Sequence, residues 1–310
     1  MAFHGASVEF DGVTKRFESV TAVDDLSLSI PEGSIYGFIG PNGSGKTTTM
    51  RLITGILLPD RGDVRVYGAT SSSRQLGSIG YLPEERGIYK KMTVRALLRF
   101  HAELRGVRKA AAQADAWLEK LDLAKFGSSS IETLSKGMTQ KVQFIAAAIG
   151  EPKLLILDEP FSGLDPVSSQ AIRSAILELR GKGATIVLST HDMGTAEQMC
   201  ERILMMFRGK KVLDGTLMDI RDRYGNDTVR ISAENAACLA GLPGVEQIRD
   251  LGQMQEIRMA RDADPQALLR NVMTRTRVDS FSIARPSLED IFIRIAGADS
   301  LVDRLEAQSA

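Results

Sequence analysis

Several short stretches of this chain are apolar at nearly every position: Ile35-Tyr36-Gly37-Phe38-Ile39, Leu154-Leu155-Ile156-Leu157, Thr185-Ile186-Val187-Leu188 and Ile203-Leu204-Met205-Met206-Phe207. Short runs without alternation fit strands buried on both faces of a sheet. Between them lie segments with helical spacing. Thr48 to Ile53 is one, stopping at Gly55 as a C-terminal cap. Met138 to Ile149 is a second, with Met138, Val142, Ile145 and Ile149 on one side. A third opens with Asp165 as N-cap and Pro166 at the first position and carries Ile172, Ile176 and Leu179. This alternation predicts an α/β domain with a largely parallel sheet. Elsewhere the period is two. Val8-Glu9-Phe10, Leu26 to Ile30 and Val64 to Tyr67 alternate and predict antiparallel strands, with Pro31-Glu32-Gly33 turning into the first apolar run. Ile79 to Leu82 reads as a further short strand that breaks at Pro83. Met92 to Leu123 is helical in pattern, with Val94, Leu97, Leu98 and His101 on one stripe and Trp117, Leu118 and Leu121 on another. Such stripes are core faces far more often than binding faces.

Past Tyr224-Gly225-Asn226 the rhythm changes. Strand-like Thr228 to Ile231, a helical piece from Ala233 to Leu242, strands at Val245 to Ile248 and Gln255 to Met259, a helix from Pro265 to Thr274 and a strand at Asp279 to Ile283 follow in turn. This β-α-β-β-α-β order predicts a small α+β domain of ferredoxin-like type. A last helix is expected from about Leu288 to Ile295, with an amphipathic tail beyond. The expected division is therefore 1–224 and 225–310, and no catalytic cluster occurs in the second part. A dimer-stabilising or regulatory role and a plain structural appendage both remain open for it.

Composition narrows the picture modestly. At 310 residues, with 39 basic and 39 acidic side chains, the chain can bury a large core and advertises neither nucleic acid nor an acidic membrane surface. Cys200 and Cys238 are far apart, and His4, His101 and His191 are scattered, so a metal cluster is not expected. The first residues lack a basic segment followed by an apolar run, so no signal peptide is read. No stretch approaches the roughly 18 apolar residues of a membrane span.

The candidate chemistry begins at Gly40-Pro41-Asn42-Gly43-Ser44-Gly45-Lys46-Thr47-Thr48, which matches the phosphate-loop pattern G-x-x-x-x-G-K-[ST]. Four constrained positions can recur by chance, so the flanking strand and helix decide: together they aim backbone N–H groups and a positive helix end at one anion. Lys46 is expected on the β- and γ-phosphates of a nucleoside triphosphate and Thr47 on Mg²⁺. The apolar run ending in Asp158-Glu159 would deliver Asp158 to the Mg²⁺ shell and Glu159 beside the γ-phosphate, to polarise the attacking water. Phe17, an aromatic upstream of the loop, either stacks on a purine or sits in the core.

Leu134-Ser135-Lys136-Gly137-Met138-Thr139-Gln140 resembles the signature motif, L-S-G-G-Q, of ATP-binding cassette (ABC) ATPases. Ser162-Gly163-Leu164-Asp165 resembles their D-loop, and His191, after the strand from Thr185 to Ser189, resembles their switch histidine. Pro286-Ser287-Leu288-Glu289-Asp290-Ile291-Phe292 resembles the C-terminal segment of bacterial ABC-2-type export ATPases, including sodium- and drug-efflux relatives. The resemblance covers the whole chain, most closely residues 7 to about 222. It implies a phosphate-loop ABC ATPase domain, with a mixed, largely parallel sheet, an antiparallel β subdomain and a helical subdomain, followed by the small α+β domain. It also implies ATP hydrolysis with ATP and Mg²⁺, in a head-to-tail dimer with a second copy of the chain. There Ser135 and Gly137 of one copy meet the γ-phosphate held by Lys46 of the other, with Asp165 nearby. Phe17 becomes the adenine-stacking residue, Val23 joins the nucleotide contacts along with Asn42, Gly43, Ser44, Gly45 and Thr48, and His191 meets the γ-phosphate. A separately encoded transmembrane permease would be the other partner, docking beside the segment after Glu84 and the helical region. The chain would then sit peripherally at the cytoplasmic face of the membrane, driving export, with no nucleic acid involved. Two motifs depart from the family pattern: Lys136 and Met138 replace glycine and glutamine in the signature, and Glu84 stands where the Q-loop carries glutamine. Glu84 is still an oxygen ligand for Mg²⁺. A soluble ABC ATPase acting on ribosomes or DNA and a non-hydrolysing nucleotide sensor are the alternatives. One cassette without sustained heptads or a basic tail disfavours the first; Lys46, Asp158, Glu159 and His191 together disfavour the second.

Overall fold

A computed structural model of the chain describes residues 5–70, 79–85, 87, 89–224, 228–235, 239–260 and 263–295. It divides into two compact units, Met1–Gly215 and Thr216–Ala310. The first unit is built on a six-stranded sheet in the order β10-β9-β3-β8-β7-β6. Its central strands are β3 (Ile35–Ile39), β8 (Thr185–Thr190) and β7 (Leu154–Asp158), every residue of which is buried. The pairs β3–β8, β3–β9, β7–β8 and β6–β7 are all parallel, with β9 at Arg202–Phe207 and β6 at Ile79–Leu82. Unbroken apolar runs therefore became double-faced strands because helices cover both sides. β10 (Lys210–Thr216) follows β9 after the turn at Arg208-Gly209. Its lysine-rich, half-exposed pattern is that of a protected edge, which hides it from a search for apolar runs.

A second sheet, order β2-β1-β4-β5, holds β1 (Ala6–Phe17), β2 (Val20–Pro31), β4 (Arg61–Val66) and β5 (Ala69–Thr70), every neighbouring pair antiparallel. Helix α1 (Lys46–Thr54) ends at its C-cap Gly55 and contributes Met50, Leu52 and Ile53 to an apolar cluster. That cluster also takes Phe10 and Ile30 from the antiparallel sheet and Phe38, Val187 and Leu204 from the parallel one. Each such side chain contributes about 1.5–3 kcal/mol on burial, so the two sheets and α1 are held as one body. The helical stretch beyond Met92 is two helices, α2 (Val94–Leu104) and α3 (Ala110–Lys120), broken at Gly106. Helices α4 (Lys136–Ala148), α5 (Pro166–Gly181) and α6 (Met193–Met199) complete the unit. Cys200 is buried and free, with its Sγ so close under Gly37 that a Cβ there would approach it to 2.6 Å. Among the described residues no helix is long and apolar enough to cross a membrane.

The second unit opens with α7 (Leu217–Tyr224), so the contact boundary lies ahead of this helix rather than behind it at 224. Thr216 caps α7 through the Asp219 N–H (3.1 Å), and Arg294 donates to Tyr224 O (3.3 Å), which ties the helix to the chain that follows. Strands β11 (Thr228–Ala233), β12 (Val245–Asp250), β13 (Gln255–Met259) and β14 (Val278–Ala284) form a sheet in the order β12-β13-β11-β14, each neighbouring pair antiparallel. Helix α8 (Pro265–Met273) buries Leu268 and Val272 against Val229, Ile231 and Ile257, and α9 (288–295) follows β14. Residues 236–238 of the expected helix from 233 to 242, and the expected tail after 295, lie outside the described residues.

Candidate functional site

At the carboxyl ends of β3 and β7 the phosphate loop, Asp158, Glu159 and Glu84 line one cavity of about 990 Å³. Asn42, Gly43, Gly45, Lys46, Thr47 and Thr48 line it together with Val20 and Ala22 of β2. Glu84 follows β6, and Arg86 and Ile88 just beyond it lie outside the described residues. This is where ligands sit in an open α/β sheet. Lys46 starts α1 and is 6 % exposed; its ammonium donates to Gly40 O (2.8 Å) and Pro41 O (2.9 Å). Burial pulls that ammonium below the ordinary lysine range, while the carboxylates of Glu159, Asp158 and Glu84 facing it pull the other way. Burial disfavours the charged ammonium and nearby anions favour it, a balance to which a bound phosphate would add on the favourable side.

Ser189, at the end of β8, donates to Asp158 Oδ1 and accepts the Glu159 N–H at 3.0 Å. Asp158 Oδ2 has no hydrogen-bond partner among the described residues although it is buried. A carboxylate oxygen left in that state, in a cavity that Thr47 and Glu84 also line, is the kind of oxygen ligand a hard divalent cation takes, so these residue types fit Mg²⁺. Glu159 adopts a positive φ of 50°, and both His191 contacts land on its Oε1: the backbone N–H at 3.0 Å and ring Nδ1 at 2.8 Å. The His191 side chain is 61 % exposed, against 10 % for Glu159. The structure thus brings together the loop, both carboxylates, Glu84 and His191.

Other expected contacts fall elsewhere. Phe17 ends β1, is 44 % exposed, pairs in register with Val20, and carries the Lys15 ammonium 5.6 Å from its ring centre. Val23 is a correction: it is fully buried in the core beneath the antiparallel sheet. Alternation along β2 is the reason, since Ala22 faces the cavity and the next residue must face away. Ser44 Oγ is buried, has no hydrogen-bond partner among the described residues and is not part of the lining. Ser135 and Gly137 are also absent from the cavity of their own chain. Ser135 is the exposed N-cap of α4, its Oγ accepting the Met138 N–H at 3.2 Å, a cap contributing about 1 kcal/mol. Lys136 lies across Gly163, close enough that a Cβ there would meet its Cε at 2.6 Å. Asp165 caps α5 through the Ser168 hydroxyl (2.6 Å) and N–H (2.9 Å), bonds that hold its carboxyl below the usual range. Sequence reasoning passed over Ser189 and Gln140. Gln140 is 5 % exposed and donates to the carbonyls of Glu159 (3.5 Å) and Pro160 (3.3 Å). Neither residue carries a local signal in the sequence; the burial of Gln140 and its carbonyl partners are what mark it.

Comparison with known proteins follows the two units. A family model described as "ABC transporter" matches residues 23–162, and one described as "ATP-binding protein DrrA1-3-like, C-terminal domain" matches residues 215–296. An ABC transporter ATP-binding protein of Bacillus subtilis, YhaQ, is 38 % identical over 291 residues, covering 93 % of this chain and 98 % of the relative. The daunorubicin resistance ATP-binding protein DrrA3 of Streptomyces coeruleorubidus is 30 % identical, covering 96 % of this chain and 98 % of the relative. The Nod factor export ATP-binding protein I of Paraburkholderia xenovorans is 32 % identical, covering 95 % and 98 %. Among solved structures, an ATP-binding subunit of an ABC transporter superposes with a TM-score of 0.66 at 32 % identity, over 70 % of this chain and 92 % of that one.

Proposed function

The chain belongs to the ABC transporter family of ATP-binding subunits, and from that premise we propose that two copies close head to tail on ATP and drive a separate transmembrane permease. One observation carries the proposal. The loop, Asp158, Glu159 and Glu84 line one cavity, and His191 reaches it only through its bonds to Glu159 Oε1. Yet Ser135 and Gly137, at the start of α4, are no part of it and touch none of these groups in the hydrogen bonds of the described residues. The site is a half-site, and a second copy is what can supply the missing half. The start of α4 offers free N–H groups and a positive dipole end to the γ-phosphate held by the other copy. Adenine stacks on Phe17, and Asp165 stands near the shared interface.

In this mechanism Lys46 exchanges the carbonyls of Gly40 and Pro41 for the β- and γ-phosphate oxygens. Thr47, Asp158 and Glu84 would hold Mg²⁺, which would neutralise phosphate charge when bound. Glu159 accepts a proton from water as its oxygen attacks the γ-phosphorus and the bond to the ADP oxygen breaks. His191 keeps Glu159 oriented through Oε1. Reopening of the dimer then moves the permease. Export is the favoured direction because relatives named for daunorubicin resistance and Nod factor export match nearly end to end. The chain would act at the cytoplasmic membrane face through that permease.

The test uses a chain that binds but does not hydrolyse. With ATP and Mg²⁺, the Glu159→Gln protein is expected to shift from monomer to dimer in light scattering. Adding Ser135→Arg should leave ATP binding intact and keep the protein monomeric; a dimer that still forms would count against the shared site. The second unit we read as a ferredoxin-like sandwich that steadies self-association. Ending the chain after Gly215 should preserve ATP binding while weakening the dimer, and unchanged sedimentation of the shortened protein would sink that role.

A further inference from the structure

Glu159 is fixed at three points, one from β8, one from the residue just after that strand and one from α4. Ser189 of β8 accepts its N–H (3.0 Å), His191 holds its carboxylate (2.8 and 3.0 Å), and Gln140 of α4 donates to its carbonyl (3.5 Å). The same amide donates to Pro160 O at 3.3 Å, so Gln140 grips both carbonyls at the turn leaving β7. That turn needs a grip. Glu159 sits at φ 50°, in the left-handed region that a non-glycine residue adopts only when its surroundings impose it. Gln140 is 5 % exposed, so its amide has no water to turn to if the carbonyls move.

Gln140 stands three residues beyond Gly137 in α4, and residues so spaced share a helix face. The helix that presents Ser135 and Gly137 at its start therefore grips, one turn on, the backbone of the residue read as the base. We propose that Gln140 is a positioning residue: it couples the start of α4, where the other copy's nucleotide is read, to the placement of Glu159 in its own chain. The proposal rests on the shared-site reading above. Phosphate engaged by Ser135 and Gly137 loads the start of α4. Gln140 passes that load to the carbonyls of Glu159 and Pro160, so that each half-site senses whether the other is filled.

Full-length Gln140→Leu keeps the bulk and loses the amide. It should bind a fluorescent ATP analogue as the parent does, yet turn over about tenfold to a hundredfold more slowly, the scale expected for a base displaced by a fraction of an ångström to an ångström. Gln140→Glu, equal in length and without the donor, should behave the same way and serves if the leucine variant does not fold. A purely structural role is separated by a double-mutant cycle with Ser135→Ala. Ser135→Ala should slow the parent strongly and the Gln140→Leu protein little further, while effects on melting temperature simply add. Parental turnover in both Gln140 variants, or rate effects of Ser135→Ala and Gln140→Leu that multiply independently, would overturn the proposal while a dead Glu159→Gln protein left the base assignment standing. Full turnover by Glu159→Gln would overturn both.

Discussion

Replacing Glu159 with glutamine should lower steady-state phosphate release by about 10²–10⁴-fold at saturating ATP, the range that a positioned general base contributes. The substitution is close to a pure test of proton transfer. Glutamine has the same length, and its carbonyl oxygen can still accept from the His191 N–H now bonded to Oε1 at 3.0 Å. The left-handed turn at φ 50° is equally hard for either residue, so the backbone has no new reason to move. What disappears is the group that can take a proton from water, together with one negative charge facing the phosphate loop. Losing that charge removes a repulsion toward the triphosphate, so ATP affinity should hold or rise. The measurement is kcat by phosphate release beside equilibrium binding of an ATP analogue. Tight binding with lost turnover is the expected pair. Parental turnover would instead favour a nucleotide sensor whose carboxylate does no chemistry.

The parts of the site that sequence made legible are those where one residue type at one spacing has little alternative. Lys46 behind a glycine loop and a strand ending in Asp158-Glu159 line one cavity, and His191 after a buried strand is bonded to Glu159. The two units differ in their strand patterns: double-faced strands of the first carry unbroken apolar runs, whereas β11, β12 and β14 of the second are partly polar. What stayed hidden depends on direction and partners. Val23 and Ala22 are both apolar, and the pleat of β2 decides that Ala22 faces the cavity while Val23 fills the core. Gln140 and Ser189 look like ordinary polar residues in a helix and a strand. Their roles come from carbonyl and carboxylate partners some twenty to thirty residues away, which no local pattern encodes. Strand β10 and helix α7 were hidden because edge strands and exposed helices are charged, and charge reads as loop.

The second large effect is expected in the loop itself, from a change that leaves every charged group in place. Gly45 is the N-cap of α1 with φ 103°, and a Cβ built there lies 2.3 Å from Ala22 O and 3.2 Å from Met206 Cε. Gly45→Ala therefore meets backbone of β2, which cannot turn aside as a side chain would, and the loop must shift instead. Lys46 is the next residue and lines the same cavity, so the shift carries the phosphate contacts with it. Displacement on the scale of an ångström in a site of aligned donors costs about a hundredfold, and ATP affinity of Gly45→Ala should fall by at least about that much. Gly43 supplies the contrast. Its φ is 78°, yet a Cβ there meets nothing within 4 Å. Gly43→Ala should lose only the left-handed backbone preference, about 1–2 kcal/mol, and bind ATP within roughly one order of magnitude of the parent. Isothermal titration of both proteins, with melting curves to confirm an intact core, reads the difference directly. Equal losses at the two positions would mean that the loop needs glycine for flexibility alone; the packing against Ala22 predicts that they part.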